Sequence, residues 1–323
     1  MNTQWVLNTK GDPLGTVNRF ISKVWQETGL EGMILPSARK NELRVVDDLS
    51  VLGEFNPFQP LMLMNIAGLV PGVLQEHPGG RFGILLRPCE LRALNEVTAH
   101  KEIEPARLMT ICVDCLGTFP DEEFEWRSIR TGSDAGLTKE ALQFAPQGGI
   151  AAYRYRAACQ MCTSPGARSA DINLGVLGLP VRQSILVNGQ SDLLDWSQVT
   201  DKPADPALSS KRQVMLSKLV EVHSQTRDRV LSGLTEVLPA NVDVLLDQFE
   251  DCGSCQTCME ACPICTANPP QRAKDGRYER QDVVEWLVDC VGCGMCEQSC
   301  PKHMPLSIIF THVKRSLEEV LAA

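Results

Sequence analysis

The chain has 323 residues, of which 43% are hydrophobic and 22% charged, so it is long enough for two soluble domains, each with its own core. Its formal net charge of −9 at pH 7 argues against nucleic acid as a partner and leaves proteins and small molecules. Fourteen cysteines in a chain of this size are not required as disulfide staples, and their C-x2-C grouping is typical of metal ligands in a reducing compartment. We therefore expect a cytoplasmic protein.

No segment of the sequence has the pattern of a membrane-spanning helix. The longest apolar tract, Pro60–Leu74, contains Asn65 and Pro71 and is shorter than the roughly 20 residues that such a helix needs. The first residues show neither a secretory signal pattern nor a twin-arginine motif. We expect the apolar tract to lie in a core, and we expect no membrane insertion.

The first two thirds of the sequence alternate strand-like and helix-like patterns. Apolar runs at Gly83–Leu86 and Arg107–Val113 flank a helical pattern that begins at Glu90. Further strand candidates lie within residues 143–158 and 179–196. This succession predicts an α/β domain over residues 1–200.

Beyond this domain the pattern becomes helical. Residues 197–211, rich in Pro, Asp and Ser, are predicted to form a linker, and a helical period then continues to Pro239. Shorter helical patterns follow at residues 241–250, 279–289 and 305–321. We predict an all-α, helical ferredoxin-like domain over residues 207–323, with two cysteine loops inserted between its helices.

The two cysteine loops repeat one motif, C-x2-C-x2-C-x3-C-P. In [4Fe-4S] proteins with this spacing, three closely spaced thiolates bind one cluster and the fourth binds the other cluster. The motif predicts that cluster one is bound by Cys252, Cys255, Cys258 and Cys300, and cluster two by Cys290, Cys293, Cys296 and Cys262. Structural zinc sites also use C-x2-C pairs, but they have no use for a third cysteine at this spacing followed by Cys-Pro.

Several residues around the motifs have less specific patterns. Gly253, Gly292 and Gly294 suit loops that turn backbone N–H groups towards sulfur atoms. We expect Cys265 to be a small buried residue beside a cluster, and His303 to lie on the surface. Four basic residues lie between the two motifs: Arg272, Lys274, Arg277 and Arg280. For this segment, a solvated loop is favoured over a docking patch for an acidic electron-transfer partner.

Five cysteines lie in the first domain: Cys89, Cys112, Cys115, Cys159 and Cys162. By spacing alone, the last four form two C-x2-C pairs, enough for one zinc ion or one [4Fe-4S] cluster, and unrelated buried thiols are a third possibility. Cys89 stands where a strand passes into a helix, with Arg87 and Arg92 close in sequence. This setting lowers the pKa of a thiol and favours metal ligation, so Cys89 is a further candidate ligand.

Three stretches of this domain resemble, in order, motifs of the β-subunit family of coenzyme F420-reducing hydrogenase and F420-linked formate dehydrogenase. The stretches are RPCELRAL, ICVDCLGT and CQMCTSPGARSADINLGVLG. The matching residues are Pro88, Cys89, Cys115, Gly117, Thr118, Cys159, Cys162, Ala170, Asp171, Ile172, Gly175 and Gly178. The resemblance covers most of the first domain, and the second resembles the helical ferredoxin modules often fused to or partnered with this family.

The resemblance implies cofactors in the first domain. It implies a third [4Fe-4S] cluster bound by Cys89, Cys115, Cys159 and Cys162, which leaves Cys112 as a spare cysteine. It also implies FAD beside that cluster, for which the candidate binding residues are Asp171, Gly175 and Gly178. The same segment also fits an acidic turn before the next strand, and Thr163 and Ser164 stand where the family commonly continues C-x2-C-x-D.

The function implied is that of an iron-sulfur, flavin-containing β subunit of a multi-subunit oxidoreductase, such as a formate dehydrogenase, a hydrogenase or a heterodisulfide-reductase-linked complex. Its partners are then a catalytic subunit and other redox proteins in a hetero-oligomer, and the flavin converts hydride transfer to single-electron transfer. Two alternatives stay open: a flavin-free relay subunit with three clusters, and a self-contained ferredoxin-dependent reductase. No acid–base pair with a distinctive spacing supports the last.

Overall fold

In the computed structural model, residues 2–36, 43–150, 154–250, 252, 254–274 and 276–321 are described. Eight strands form one sheet in the order β3-β2-β4-β5-β6-β7-β1-β8. The strands are β1 (Asn2–Asn8), β2 (Gly32–Pro36), β3 (Leu43–Val46), β4 (Phe82–Leu86), β5 (Leu108–Val113), β6 (Ile172–Gly175), β7 (Ser184–Gln190) and β8 (Lys202–Pro203). The pairs β2–β4, β4–β5 and β5–β6 are parallel, and the others are antiparallel.

The central parallel strand β4 is buried along its whole length because both faces of the sheet are covered. In β4, Ile84 and Leu86 contribute to the core on one face, whereas Leu85 contributes to the core on the other. This alternation follows from the two-residue period of a strand. Both strands predicted around the Glu90 helix are confirmed, as β4 and β5.

Helices flank the sheet. Helix α1 (Pro13–Thr28) begins after Asp12, whose side chain accepts a hydrogen bond from the Gly15 N–H. Helix α3 (Pro88–His100) begins after Arg87, and the Glu90 carboxylate accepts from the Arg87 N–H at 2.8 Å. The others of this region are α2 (Val70–Glu76), α4 (Asp121–Thr131), α5 (Asp134–Gln143), α6 (Ala157–Gln160) and α7 (Trp196–Val199).

Two sequence predictions for this region differ from the structure. The described part of residues 143–158, which omits 151–153, contains no strand; Ala145–Gln147 form a 3-10 turn, Gly148 and Gly149 follow with positive φ, and α6 begins at Ala157. The predicted linker is also structured, since β8 pairs with β1 and a helix begins at Pro206, capped by Asp205. The apolar tract Pro60–Leu74, by contrast, contributes buried core residues as predicted.

The C-terminal region is helical and contains its own core. Its helices are α8 (Pro206–Leu234), α9 (Val242–Glu250), α10 (Thr257–Glu260), α11 (Pro263–Ala267), α12 (Arg280–Asp289), α13 (Met295–Ser299) and α14 (Leu306–Leu321). The core includes Leu245, Trp286 and Phe310. The all-α prediction holds roughly, because one antiparallel β-bridge joins Arg272 and Tyr278 between the two cysteine motifs.

Helix α8 packs against both regions. Leu216 belongs to the sheet core, whereas Leu231 belongs to the helical core. Near the start of the helix, Arg212 Nε donates to the buried Asp114 carboxylate at 2.9 Å, directly after β5. In the described part of the chain, no helix is both long and apolar enough to cross a membrane.

Candidate metal centres

The first cavity of the helical region brings together the four cysteines predicted for cluster one. Cys252, Cys255, Cys258 and Cys300 line it, and Cys300 comes from the second motif. Aromatic side chains close the remaining wall, among them Trp286 and Phe310, whose rings meet edge to face at 4.7 Å. Three ligands from one loop and a fourth from the other are therefore placed around one space, which we call cavity one.

A second space, cavity two, brings together the four cysteines predicted for cluster two. Cys262, Cys290, Cys293 and Cys296 line it, and Cys262 comes from the first motif. The loop turns at Gly292 and Gly294, which have φ values of 65° and 72°, whereas Gly253 of the first loop lies outside the described residues. Positive φ is readily adopted by glycine, so the loop can wrap tightly around the space.

The thiols of these cavities are partly or fully buried, except that of Cys255, which is exposed. Burial, followed by the charge of Cys262, raises the pKa of Cys290 to about 12, although the Gly292 N–H opposes this. Burial raises the pKa of Cys258 to about 11. Thiols of this kind bind metal as thiolates, so cluster insertion must release their protons.

A third space, which we call the N-terminal cavity, has a volume of about 270 Å³ and is lined by Cys89, Cys115, Cys159 and Cys162. Cys89 and Cys115 follow the carboxyl ends of the adjacent parallel strands β4 and β5. Ligands in parallel sheets commonly bind at this edge. The resemblance-implied set of four thiols thus surrounds one space, and Cys293 of cavity two lines the same space.

Local contacts fix two of these cysteines. Gly117 N–H donates to the Cys115 sulfur at 3.4 Å, and a β-carbon on Gly117 would lie 2.6 Å from the Tyr155 ring, so only glycine fits. The Thr118 hydroxyl lies 3.3 Å from the Cys159 sulfur. These contacts give a physical reason for the Cys-x-Gly-Thr pattern of the sequence.

The thiols of the N-terminal cavity differ in acidity. Burial opposes ionisation of Cys159, but the Arg156 charge and the Thr118 hydrogen bonds outweigh it and lower the pKa of that thiol. Burial raises the pKa of Cys89 well above its ordinary value. The prediction that the helix start and its arginines lower the Cys89 pKa is therefore wrong, because desolvation outweighs the charge of Arg92.

Cys112 takes no part in these cavities. Its side chain is fully buried in the core beneath α3, and it is absent from the lining of the N-terminal cavity. Within the described residues, no three side chains of His, Cys, Asp or Glu converge closely enough to hold a single metal ion. The cysteines are instead distributed around spaces.

The residues suggested for a flavin have packing roles. The Asp171 carboxylate accepts from both the N–H and the hydroxyl of Thr110, each at 2.8 Å, and so links β5 to the start of β6. A β-carbon on Gly175 would lie 2.5 Å from Arg212 Nε, and one on Gly178 would lie 2.7 Å from the Met215 β-carbon. These glycines allow α8 to approach the sheet, and none of the three suggested residues lines the N-terminal cavity.

The basic residues between the motifs are largely engaged within the chain. Arg277 forms an ion pair with Glu250, and Arg280 Nε lies 2.9 Å from the Asp243 carboxylate. Arg272 lies over the Tyr278 ring at 4.2 Å, and Tyr278 lines cavity one. This segment therefore covers cavity one and is tied to α9.

Other side chains near the cavities have no distinctive sequence pattern. His223 is buried on α8, with its Nδ1 atom 2.7 Å from the Cys162 carbonyl oxygen, whereas His303 is exposed as expected. Arg156 extends between the N-terminal cavity and α13. Its position three residues before Cys159 is the sequence signal that could have identified it. Cys265 is buried and lines cavity one, as expected.

The comparison with known families concerns the cysteine-rich part of the chain. The model of the 4Fe-4S dicluster domain family matches residues 251–304, a range that holds both motifs. The C-terminal region therefore carries a ferredoxin-type 4Fe-4S domain, which indicates an iron-sulfur electron-transfer role. The match lies outside the α/β region, whose likeness to the F420-linked β subunits stays a prediction.

Proposed function

We propose that the chain is an electron-transfer subunit that carries three [4Fe-4S] clusters and serves a catalytic subunit of a multi-subunit oxidoreductase, such as a formate dehydrogenase, a hydrogenase or a heterodisulfide-reductase-linked complex. The main support for this proposal is that Cys293 of cavity two also lines the N-terminal cavity, beside Cys89, Cys115, Cys159 and Cys162. A cluster bound at each set of four thiols supplies one-electron transfer. The chain's own contribution is to hold these sets next to one another.

The order of the centres follows from the shared cysteine neighbours. Cavities one and two have Cys296, Trp286 and Phe310 in common, and cavity two and the N-terminal cavity have Cys293 and Gly292 in common. Cavity two is therefore the middle position. Electrons that enter at one end pass through the middle centre to reach the other.

The flavin of the resemblance is given no site in this proposal. Asp171, Gly175 and Gly178 do not line the N-terminal cavity, and the N–H groups of Gly148 and Gly149 at its rim already donate to the carbonyl oxygens of Ala145 and Phe144. Free N–H groups of this kind are what a bound phosphate requires. The contacts therefore favour the flavin-free relay as the form of the function.

Iron, acid-labile sulfide and flavin content of the anaerobically purified chain test this proposal. About twelve iron atoms per chain and no flavin absorbance after acid precipitation are expected. About eight iron atoms would remove the N-terminal centre, and stoichiometric flavin would restore the flavoprotein form. Rapid turnover of an organic substrate by the chain alone would contradict the relay function.

A further inference from the structure

Arg156 is a buried cation between the α/β region and the ferredoxin-type domain. Its side chain is anchored on one side by Thr118, with Nε donating to the hydroxyl at 2.8 Å, and on the other by Gln298 of α13, at 3.0 Å from Nη1. Nη2 lies 3.8 Å from the Cys159 sulfur. Arg156 is 7% exposed, so its charge is poorly screened by solvent and acts strongly on nearby groups.

The negative groups that face Arg156 are mostly sulfur atoms. Arg156 lines the N-terminal cavity together with Cys89, Cys159 and Cys293. Although burial opposes its charged form, negative charge on these cysteines raises the pKa of the guanidinium. The Arg156 charge also acts on the Glu90 carboxylate: burial raises the pKa of Glu90, and Arg156, like Arg87, opposes this. One cation thus faces ligand candidates of two different centres.

Asn65 provides a second contact from the α/β region. The residue is 5% exposed, and its Oδ1 accepts from the Ala67 N–H at 3.2 Å, which fixes the side chain. Its Nδ2 is buried and has no hydrogen-bond partner within the described part of the chain. Asn65 lines one space with Cys262 and Met295, so it lies beside the second cysteine motif. Burial and the charge of Cys262 raise the pKa of the Cys293 thiol, and the nearby Met295 N–H and Asn65 amide oppose them. The amide therefore lies near a ligand of cavity two with its N–H groups unused.

We propose that Asn65 and Arg156 are positioning residues of the α/β region that raise the reduction potential of the centre in cavity two through Cys293, and that Arg156 also raises that of the N-terminal centre. Reduction adds negative charge to a cluster, so a nearby cation and an N–H donor to a ligand sulfur stabilise the reduced form. The Asn65 part depends only on the ferredoxin-type domain, whereas the second effect of Arg156 rests on the proposed function.

The test is a potentiometric titration of the full chain with dithionite, followed by electron paramagnetic resonance. Asn65→Ser retains an oxygen that can accept from the Ala67 N–H, but its side chain is too short to reach Cys293. The loss of this N–H donor, which the proposal assigns to the cluster-bound Cys293 thiolate, is expected to lower the equilibrium constant of one reduction step about tenfold, or about 59 mV for one electron. Arg156→Gln is expected to lower two steps by at least this amount.

Asn56→Ser is the matched control. Asn56 likewise accepts from a following N–H, that of Phe58, but its amide donates to the Thr138 hydroxyl at 2.7 Å instead of facing a cysteine. No potential is expected to change in this variant. Unchanged potentials in N65S with a full iron content would refute the role of Asn65, and equal shifts in N65S and N56S would refute it as well.

The Arg156 variants separate this inference from the relay proposal. If R156Q loses iron, R156K replaces it, since lysine keeps the charge but not the planar set of donors; a smaller lowering is expected, and no shift overturns the role of Arg156. If the N-terminal centre is absent, the wild type shows only two steps, and R156Q is expected to shift one of them. That result refutes the three-cluster proposal but leaves the inference on cavity two intact.

Discussion

Replacing Cys89 and Cys112 one at a time decides which thiols bind a cluster in the α/β region. Cys89 lines the N-terminal cavity with three other cysteines, whereas Cys112 is fully buried in the core beneath α3. A cluster held by four thiolates is lost when one ligand is removed, so C89A is expected to fall from about twelve to about eight iron atoms per chain. C112A is expected to keep all of its iron.

The packing around Cys112 also predicts how much C112A lowers the free energy of unfolding. The substitution removes one buried sulfur atom from a packed core, a change comparable to Ile→Val, so we expect a loss of about 1 kcal/mol in the free energy of unfolding. Iron and acid-labile sulfide are measured after anaerobic reconstitution, and unfolding is followed by circular dichroism in urea. Loss of four iron atoms in C112A together with full iron in C89A would refute this ligand assignment and favour the two C-x2-C pairs.

Three further predictions concern the framework around the centres. Arg212→Met leaves the buried Asp114 carboxylate without its cation and is expected to lower the free energy of unfolding by about 3 kcal/mol in urea titrations; an unchanged midpoint would contradict the anchoring role. Gly178→Ala, at φ 77°, is expected to destabilise the protein by about 2 kcal/mol, whereas the control Gly233→Ala on α8, where a β-carbon meets nothing within 4 Å, is expected to stabilise it slightly; equal effects on thermal unfolding would contradict the packing role. Burial raises the pKa of Glu90, and the charge of Arg87 opposes this. The protonated carboxyl therefore contributes stability that is fully present below pH 4.5 and is lost as the pH rises through the raised pKa. In E90Q, the free energy of unfolding measured in urea is expected to depend less on pH in this window.

Much of the cysteine chemistry could be predicted from sequence because the spacing is itself geometric. Three cysteines with two residues between neighbours must lie along one short loop. The fourth cysteine, which precedes a proline, is directed away from that loop. The helical pattern that contains Trp286 was equally readable, since its apolar residues repeat with the period of a helix. The N-terminal set required the resemblance, because spacing alone pairs Cys115 with Cys112.

The rest depended on tertiary contacts that leave little trace in sequence. Residues 197–211 have a linker composition, yet the Asp205 cap and the pairing of β8 with β1 order them. Arg156 is an ordinary basic residue in sequence, and its partner Gln298 lies 142 residues further along the chain. Gly175 and Gly178 resembled a cofactor turn, but the same lack of a side chain allows the close approach of α8.

Helix α8 is a single long helix that connects the core of the α/β region to the core of the helical region. At 29 residues it extends about 44 Å, and its only proline and glycine lie near its two ends, where they introduce no central kink. One end is anchored at Asp114 and the other lies in the helical core, while His223 between them binds the Cys162 carbonyl. In the proposed relay, tunnelling rates decay exponentially with the distance between the centres, so a straight helix packed against both regions would limit changes in that distance.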